Sequence, residues 1–160
     1  MAKLKFEGLE EFETQLLKLQ SISPHCVGKA VYMGAKQIAD AVKANIEALP
    51  IDNRTFVKEG QLLTGITEAQ KAGLREGFGV AKMQDENGYI HVKIGFDGYN
   101  SVTTKNYPQG QPNAMIARSV NSGTSFRQRI PFVDNAVQSQ KAAAEKAMAD
   151  TFDQVLKENL

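Results

Sequence analysis

The chain of 160 residues is predicted to fold as one α+β domain, and three patterns predict this class. An amphipathic stripe follows Pro24, two alternating segments flank Asn87 and Gly88, and a second helical stripe begins after Pro131. Helical periodicity on both sides of a hairpin favours a small antiparallel sheet covered by helices. We therefore expect a single domain over residues 1–160, in which a helix of the N-terminal half and a C-terminal helix pack on a sheet centred on the hairpin.

The first 50 residues predict one short strand and two helices. Residues 3–7 alternate as in a strand, and apolar residues at helical spacing predict a first helix over 9–20. A longer helix is predicted over 24–49, because Ser23 is a good N-cap and Pro24 suits a first helical turn. Its apolar stripe consists of Val27, Val31, Ala35, Ile38, Val42 and Ile46.

The stretch between this helix and the hairpin contains a loop and a short helix. Residues 51–64 are polar without a sustained period, which predicts a flexible loop. Thr67 and Gln70 form a capping box, so a short helix is expected over 67–76, ending at Gly77.

Asn87 and Gly88 are the strongest short hairpin signal in the chain. A two-residue turn fixes the register, and the expected pairs are Met83 with Val92, Ala81 with Ile94 and Gly79 with Phe96. That register places Ile90, Val92, Ile94 and Phe96 on the buried face. His91 is then expected to point outward or towards a partner.

The C-terminal part contains a long loop, a short helix and a long helix. Residues 97–111 are polar and rich in turn formers, so we expect a loop that is mobile in the free subunit and ordered on assembly. A short helix is predicted over 112–120. Gly123 and the hydroxyl residues after it turn the chain, and a long helix over 132–158 follows Pro131. Its stripe is Val133, Ala136, Val137, Ala144, Met148, Phe152 and Val155, and the alanines between 142 and 149 favour close helix packing.

The segment that joins the last two predicted helices, which we call the joint, has a recognisable layout of residues. Gly123, Thr124 and Ser125 precede a basic spacer, and Pro131, Phe132 and Ala136 follow it. The layout resembles the tail-component family of long-tailed bacteriophages, the tail-completion or head–tail joining proteins. Gly73, Leu74 and Arg75 resemble a second element of that family. The acidic residue frequent before its Gly-Thr pair is replaced here by Asn121 and Ser122.

The resemblance implies a structural protein of the neck of a phage or prophage and no enzyme. It would complete the tail or join head to tail by assembling as a ring of identical subunits, with other neck or tail proteins as partners. It would be made in the host cytoplasm and end in the virion. The resemblance implies no cofactor.

Residues 97–130 carry a local excess of basic side chains that suits an acidic partner or passing contact with DNA. Together with the joint, this excess defines the interface candidates Lys105, Arg118, Thr124, Arg127, Arg129 and Phe132. Phe132 is also expected to anchor the last helix in the core.

The remaining composition points away from several other functions. The net charge is +1, Cys26 is the single cysteine, and no run is long enough to span a membrane. His25, Cys26 and His91 lack partners at metal-ligand or catalytic spacing, so no metal, cofactor or catalytic residue is predicted. A small DNA-binding accessory protein and an unrecognised phage hydrolase are the alternatives.

Overall fold

The computed structural model describes residues 9–159, with side chains from residue 14 onward. The strand expected over 3–7 lies outside the described residues. The described chain is α+β, as predicted. Its elements are α1 (Leu9–Glu47), α2 (Glu68–Gly77), β1 (Phe78–Val80), β2 (Gln84–Glu86), β3 (Tyr89–His91), β4 (Ile94–Phe96), α3 (Asn113–Ser122) and α4 (Phe132–Asn159).

Helix α1 is one continuous element, so the prediction of two helices separated at Ser23 is wrong. Pro24 lies inside the helix. An interior proline removes one backbone hydrogen bond and costs about 3 kcal/mol, but packing can outweigh this. Cys26 and Ala30, directly after it, are 0% and 5% exposed. This burial accounts for the tolerated proline, and it makes the Cys26 side chain part of the helix packing.

Helices α1 and α4 run antiparallel and form the body of the molecule. Near one end of the pair, the Asn45 side-chain amide donates to the Phe132 carbonyl at 2.9 Å. Further along, a Cβ on Gly34 would lie 2.6 Å from Met148, so the helices approach closely where α1 has glycine. Ala144 is buried there, as the alanine pattern predicts, whereas Val137, expected in the stripe, is 41% exposed.

The hairpin has the predicted turn but a different register beyond it. Asn87 and Gly88 both have positive φ, and β2 pairs with β3 so that Gln84 faces His91, in the predicted register. Further out, the Ala81 N–H donates to the Lys93 carbonyl and Phe78 faces Phe96. Two residues on the first strand therefore oppose the single residue Val92, which is the count of a β-bulge.

The bulge corrects three expectations. The predicted pairs Ala81 with Ile94 and Gly79 with Phe96 are wrong, and Met83 with Val92 belongs to neither ladder. In the observed register, Phe96 and Ile94 face Phe78 and Val80, where the prediction had the smaller residues Gly79 and Ala81. The ring centroids of Phe78 and Phe96 lie 5.1 Å apart, and Phe96 in turn contacts Phe132 of α4 at 6.0 Å. Aromatic contacts of this kind stabilise the observed register over the predicted one.

His91 is also placed differently from its prediction. Its side chain is 19% exposed, because β3 lies against α1 and does not extend into solvent. Its Nε2 atom is 3.9 Å from the Glu86 carboxylate. Burial along β3 therefore does not alternate, since Tyr89 is exposed and both Ile90 and His91 are half-buried.

The other helices follow the sequence signals. Thr67 and Gln70 form the reciprocal capping box that starts α2. Gly123, with a φ of +74°, ends α3, and α4 begins at Phe132 as expected. The core of α1, α2, α3 and α4 includes Val42, Ile46, Leu74, Val120, Phe132 and Ala136, all at most 3% exposed.

Candidate interaction site

The joint between α3 and α4 is a tight turn that glycine makes possible. A Cβ on Gly123 would lie 3.0 Å from the Cβ of Arg129, and its φ of +74° disfavours other residues. After it, the Thr124 N–H donates to the Arg127 carbonyl at 3.0 Å, and the Phe126 N–H donates to the Thr124 hydroxyl at 3.3 Å. This turn carries Phe126 outward, leaving its side chain 49% exposed.

Arg127 ties the joint to the rest of the molecule from the inside. It is 5% exposed, and its Nε donates to the Ser119 hydroxyl at 3.1 Å while Nη1 donates to the Gly65 carbonyl. Desolvation by burial lowers the pKa of Arg127, and the charge of Asp52 opposes that shift. The expectation that this arginine is presented to a partner is corrected, because the side chain is buried and its Nε and Nη1 groups donate inside the chain.

Backbone hydrogen bonds join the loop of residues 51–64 to the same joint. The Leu63 N–H donates to the Phe126 carbonyl, and the Gln128 N–H donates to the Leu63 carbonyl, both at 2.8 Å. Another bond connects the Asp52 N–H with the Ile66 carbonyl at 2.8 Å. The end of this loop therefore runs beside residues 126–128. Its start is held by the bond between Asp52 and Ile66.

Asp52 organises the loop of residues 51–64 through its carboxylate. Arg54 donates to it from Nε at 2.9 Å and from Nη2 at 2.7 Å, and the Thr64 N–H donates at 2.9 Å. These contacts, led by the Arg54 guanidinium, hold the pKa of the Asp52 carboxyl well below its usual range. Because Arg54 also donates to the Leu62 carbonyl at 3.0 Å, the carboxylate links both arms of the loop.

The loop of residues 97–111 is closed at its base by polar contacts. The Asn100 N–H donates to the Gln111 carbonyl at 2.9 Å, and the Gln111 N–H donates to the Val102 carbonyl at 3.0 Å. The Gln111 side chain accepts a hydrogen bond of 2.9 Å from Gln70 of α2. The base of this loop is therefore fixed to α2, while Lys105 lies exposed in its outer part.

These three segments meet at one end of the molecule and form a cleft of about 530 Å³. We call it the loop-end cleft. Its lining includes Asp52, Arg54, Phe56, Val102, Gln111 and Phe126. Phe56 is 77% exposed and Phe126 49%, and Leu62 on the same loop is 42% exposed. Grouped exposed apolar side chains beside polar ones are typical of a protein–protein interaction surface.

A second surface is an apolar groove of about 410 Å³ between α1, β4, α3 and α4. We call it the apolar groove. It is lined by Ile38, Val92, Ile94, Phe96, Val133 and Val137, with Arg118 and Asn121 at the α3 side. Arg118 is exposed and forms no ion pair with any residue that the structure describes.

Of the six interface candidates, two are buried and four are exposed, and Arg118 is the exposed one that lines the apolar groove. Phe132, 3% exposed, is a core anchor as predicted, and like Arg127 it is not available to a partner. Thr124 is exposed in the joint, and Lys105 is exposed on its loop. Arg129 is exposed and donates to the Asn121 carbonyl at 3.2 Å and to the Asp134 carboxylate at 3.3 Å, next to the end of α3.

Sequence reasoning missed the two phenylalanines of the loop-end cleft. Each had a signal, since Phe56 stands in a polar loop and Phe126 follows the glycine of the joint. An aromatic residue in a segment without apolar period has no helix or strand face on which to be buried. That observation marks both positions as candidates for exposure.

Comparisons with protein-family models, with curated proteins and with solved structures found no match to this chain. Among residues 9–159, each helix is too short or too polar to cross a membrane. Within the same described part, no three His, Cys, Asp or Glu side chains are grouped so that they could hold a metal ion.

Proposed function

We propose that this chain is a structural subunit of the neck of a phage or prophage. In this proposal it is required for tail completion or head–tail joining and acts by assembling into a ring of identical subunits. It is made in the host cytoplasm and then incorporated into the virion. Its partners are further copies of itself and other neck or tail proteins.

The observation that carries the proposal is the place of the resembling residues in the fold. Gly123 ends α3 at a positive φ, and Phe132 and Ala136 anchor the start of α4, at 3% and 0% exposure. Between them the joint emerges at the loop-end cleft with Phe126. The motif therefore acts as a scaffold that holds an interaction surface, which is what a joining protein needs.

The chemistry of the loop-end cleft supports contact with proteins. Phe56 and Phe126 offer apolar area, while Asp52 is already neutralised by Arg54 inside the cleft. Aromatic side chains are enriched at the centres of protein interfaces, where they supply much of the binding energy. The loops of residues 51–64 and 97–111 are held by polar contacts, so their conformation can change when a partner binds.

The test is deletion of the gene from the phage or prophage that carries it. The proposal expects filled heads and separate tails by electron microscopy, with joined particles restored by the gene supplied in trans. Intact, infectious virions from the deletion strain would refute the neck assignment. Retardation of DNA by the purified protein that weakens steeply with salt would instead favour the DNA-binding alternative.

A further inference from the structure

Arg127 is a buried cation without a carboxylate partner in the described part of the chain. It is 5% exposed, and none of the ion pairs among the side chains of residues 14–159 includes it. Burial lowers the pKa of Arg127, and the charge of Asp52 offsets that shift only in part. An arginine stays charged in proteins and is rarely buried unless it is paired. A negative charge that would balance Arg127 is therefore missing from its surroundings.

One nitrogen of the Arg127 guanidinium has no acceptor. Nε donates to the Ser119 hydroxyl and Nη1 to the Gly65 carbonyl, whereas Nη2 has no hydrogen-bond partner among the described residues. In that part of the chain, the polar side-chain atoms that are sealed from solvent without a partner are His91 Nδ1 and Asn113 Oδ1. Because Arg127 lines the loop-end cleft, its Nη2 group is open to the cleft and can donate to a ligand there.

The other polar groups of the loop-end cleft leave donors free and acceptors occupied. The Asp52 carboxylate already accepts hydrogen bonds from Arg54, and the Gln111 side-chain oxygen accepts two from neighbouring amides. Two guanidiniums and one carboxylate line the cleft, which leaves one positive charge in excess. Four lining hydroxyls donate to no residue that the structure describes; they belong to Thr55, Thr67, Thr103 and Thr104.

We infer that the loop-end cleft binds a small oxyanion of the size of phosphate, with Arg127 Nη2 as its main donor. Such an ion supplies the missing negative charge, and its oxygens accept from a guanidinium and from hydroxyls together. A tetrahedral oxyanion has more acceptor oxygens than a carboxylate, so it makes fuller use of the free donors. Because Arg127 is recessed, the ligand must be small enough to enter the cleft. The inference goes beyond the proposed function and does not depend on it.

The experiment is calorimetric titration of the purified full-length protein with inorganic phosphate at fixed ionic strength. We expect saturable binding of one ion per chain, and weaker binding of acetate. Arg127→Met should weaken phosphate binding at least about thirtyfold, because it removes a charged donor from a recessed site. The matched control is Arg118→Met, which removes the same charge from an exposed position that lines the apolar groove. It should leave the dissociation constant within about twofold, because an exposed charge outside the cleft is screened by salt.

A second pair of variants is needed because Arg127→Met also removes hydrogen bonds inside the chain. Thr55→Val with Thr103→Val deletes two lining hydroxyls that bond no described residue, so the fold should be kept. Phosphate binding should weaken at least about tenfold, since each hydroxyl donates to a charged ligand. Ser122→Ala with Ser125→Ala removes two exposed hydroxyls outside the cleft and should bind phosphate as the original does. These variants decide the question if Arg127→Met does not fold.

Several results would overturn the inference. They are the absence of saturable phosphate binding, acetate binding tighter than phosphate, and equal binding by a cleft variant and its matched control. Displacement of bound phosphate by a short DNA duplex would assign the site to a nucleic-acid backbone and would also overturn it. None of these results affects the neck assignment, which depends on the deletion strain.

Discussion

The helical body and the loop end of this molecule are held together by different forces. In the body, Val42, Ile46 and Ala136 are at most 1% exposed, and their apolar contacts close the core. At the loop end, the groups that close the structure are polar, with Asp52 and Arg127 at their centre. The comparison teaches that the body is built for stability, while the loop end positions its segments and leaves aromatic side chains exposed.

The largest effect is expected from breaking the body at Phe132. Phe132→Ala should reduce the free energy of unfolding by about 3–5 kcal/mol, because the ring is buried and contacts Phe96. Val137→Ala, on the same helix but 41% exposed, should change it by less than about 1 kcal/mol. Denaturant titration of both variants measures the difference, and similar losses would contradict the division between core and surface.

Substitution of Arg127 should give the next largest loss of stability, although this residue lies in the joint between α3 and α4 and not in a helix. Arg127→Met removes the donors to the Gly65 carbonyl and the Ser119 hydroxyl, leaving a buried acceptor without its partner. We expect a loss of about 1–3 kcal/mol in the free energy of unfolding. Arg129→Met, at an exposed arginine of the same joint, is the control and should be near neutral. Equal stability of the two variants would show that Arg127 is not a structural tie.

The carboxylate of Asp52 should make the stability of the loop end depend on pH. Its pKa is depressed in the folded state, so the stabilisation is present above the unfolded pKa of about 3.9 and is lost as pH falls towards the lower folded pKa. Asp52→Asn should therefore lower the melting temperature at neutral pH. The gap from the unmodified protein should narrow below about pH 4. A gap that is constant down to about pH 2 would argue against this role.

The smallest effect on global stability, and the finest test of the loop end, is local exchange in residues 97–111. This loop is predicted to be mobile in the free subunit and ordered on assembly. Amides at the base, on Asn100 and Gln111, donate hydrogen bonds and should exchange more slowly than those of Thr103 and Lys105. Hydrogen exchange followed by mass spectrometry can resolve this. Uniform strong protection in a verified monomer would contradict the predicted mobility.

The parts of the fold that depend on local signals could be predicted from the sequence. The capping box of Thr67 and Gln70, the turn at Asn87 and Gly88, and the helix end at Gly123 all lie where their local chemistry requires. The anchoring of Phe132 in the core could also be predicted, because Pro131 fixes the start of α4 and thus its buried face.

The parts that depend on distant contacts could not be predicted. The helix passes through Pro24 because packing outweighs a lost hydrogen bond, and the hairpin register slips because Phe78 and Phe96 gain from facing each other. The prediction of Arg127 as a surface contact is wrong because its acceptors, on Gly65 and Ser119, are brought to it only by the fold. A sequence pattern describes one segment at a time and does not contain these pairings.

The most direct test of the account is whether the exposed phenylalanines of the loop-end cleft are needed to produce joined particles. We would combine Phe56→Ser with Phe126→Ser, at two exposed rings, and supply the variant to the deletion strain. Tyr32→Ser with Tyr89→Ser is the matched control, since these rings are 53% and 70% exposed outside the loop-end cleft. Both proteins should keep the melting temperature of the original. The account predicts few joined particles from the phenylalanine variant and normal yields from the control; normal yields from both would contradict it.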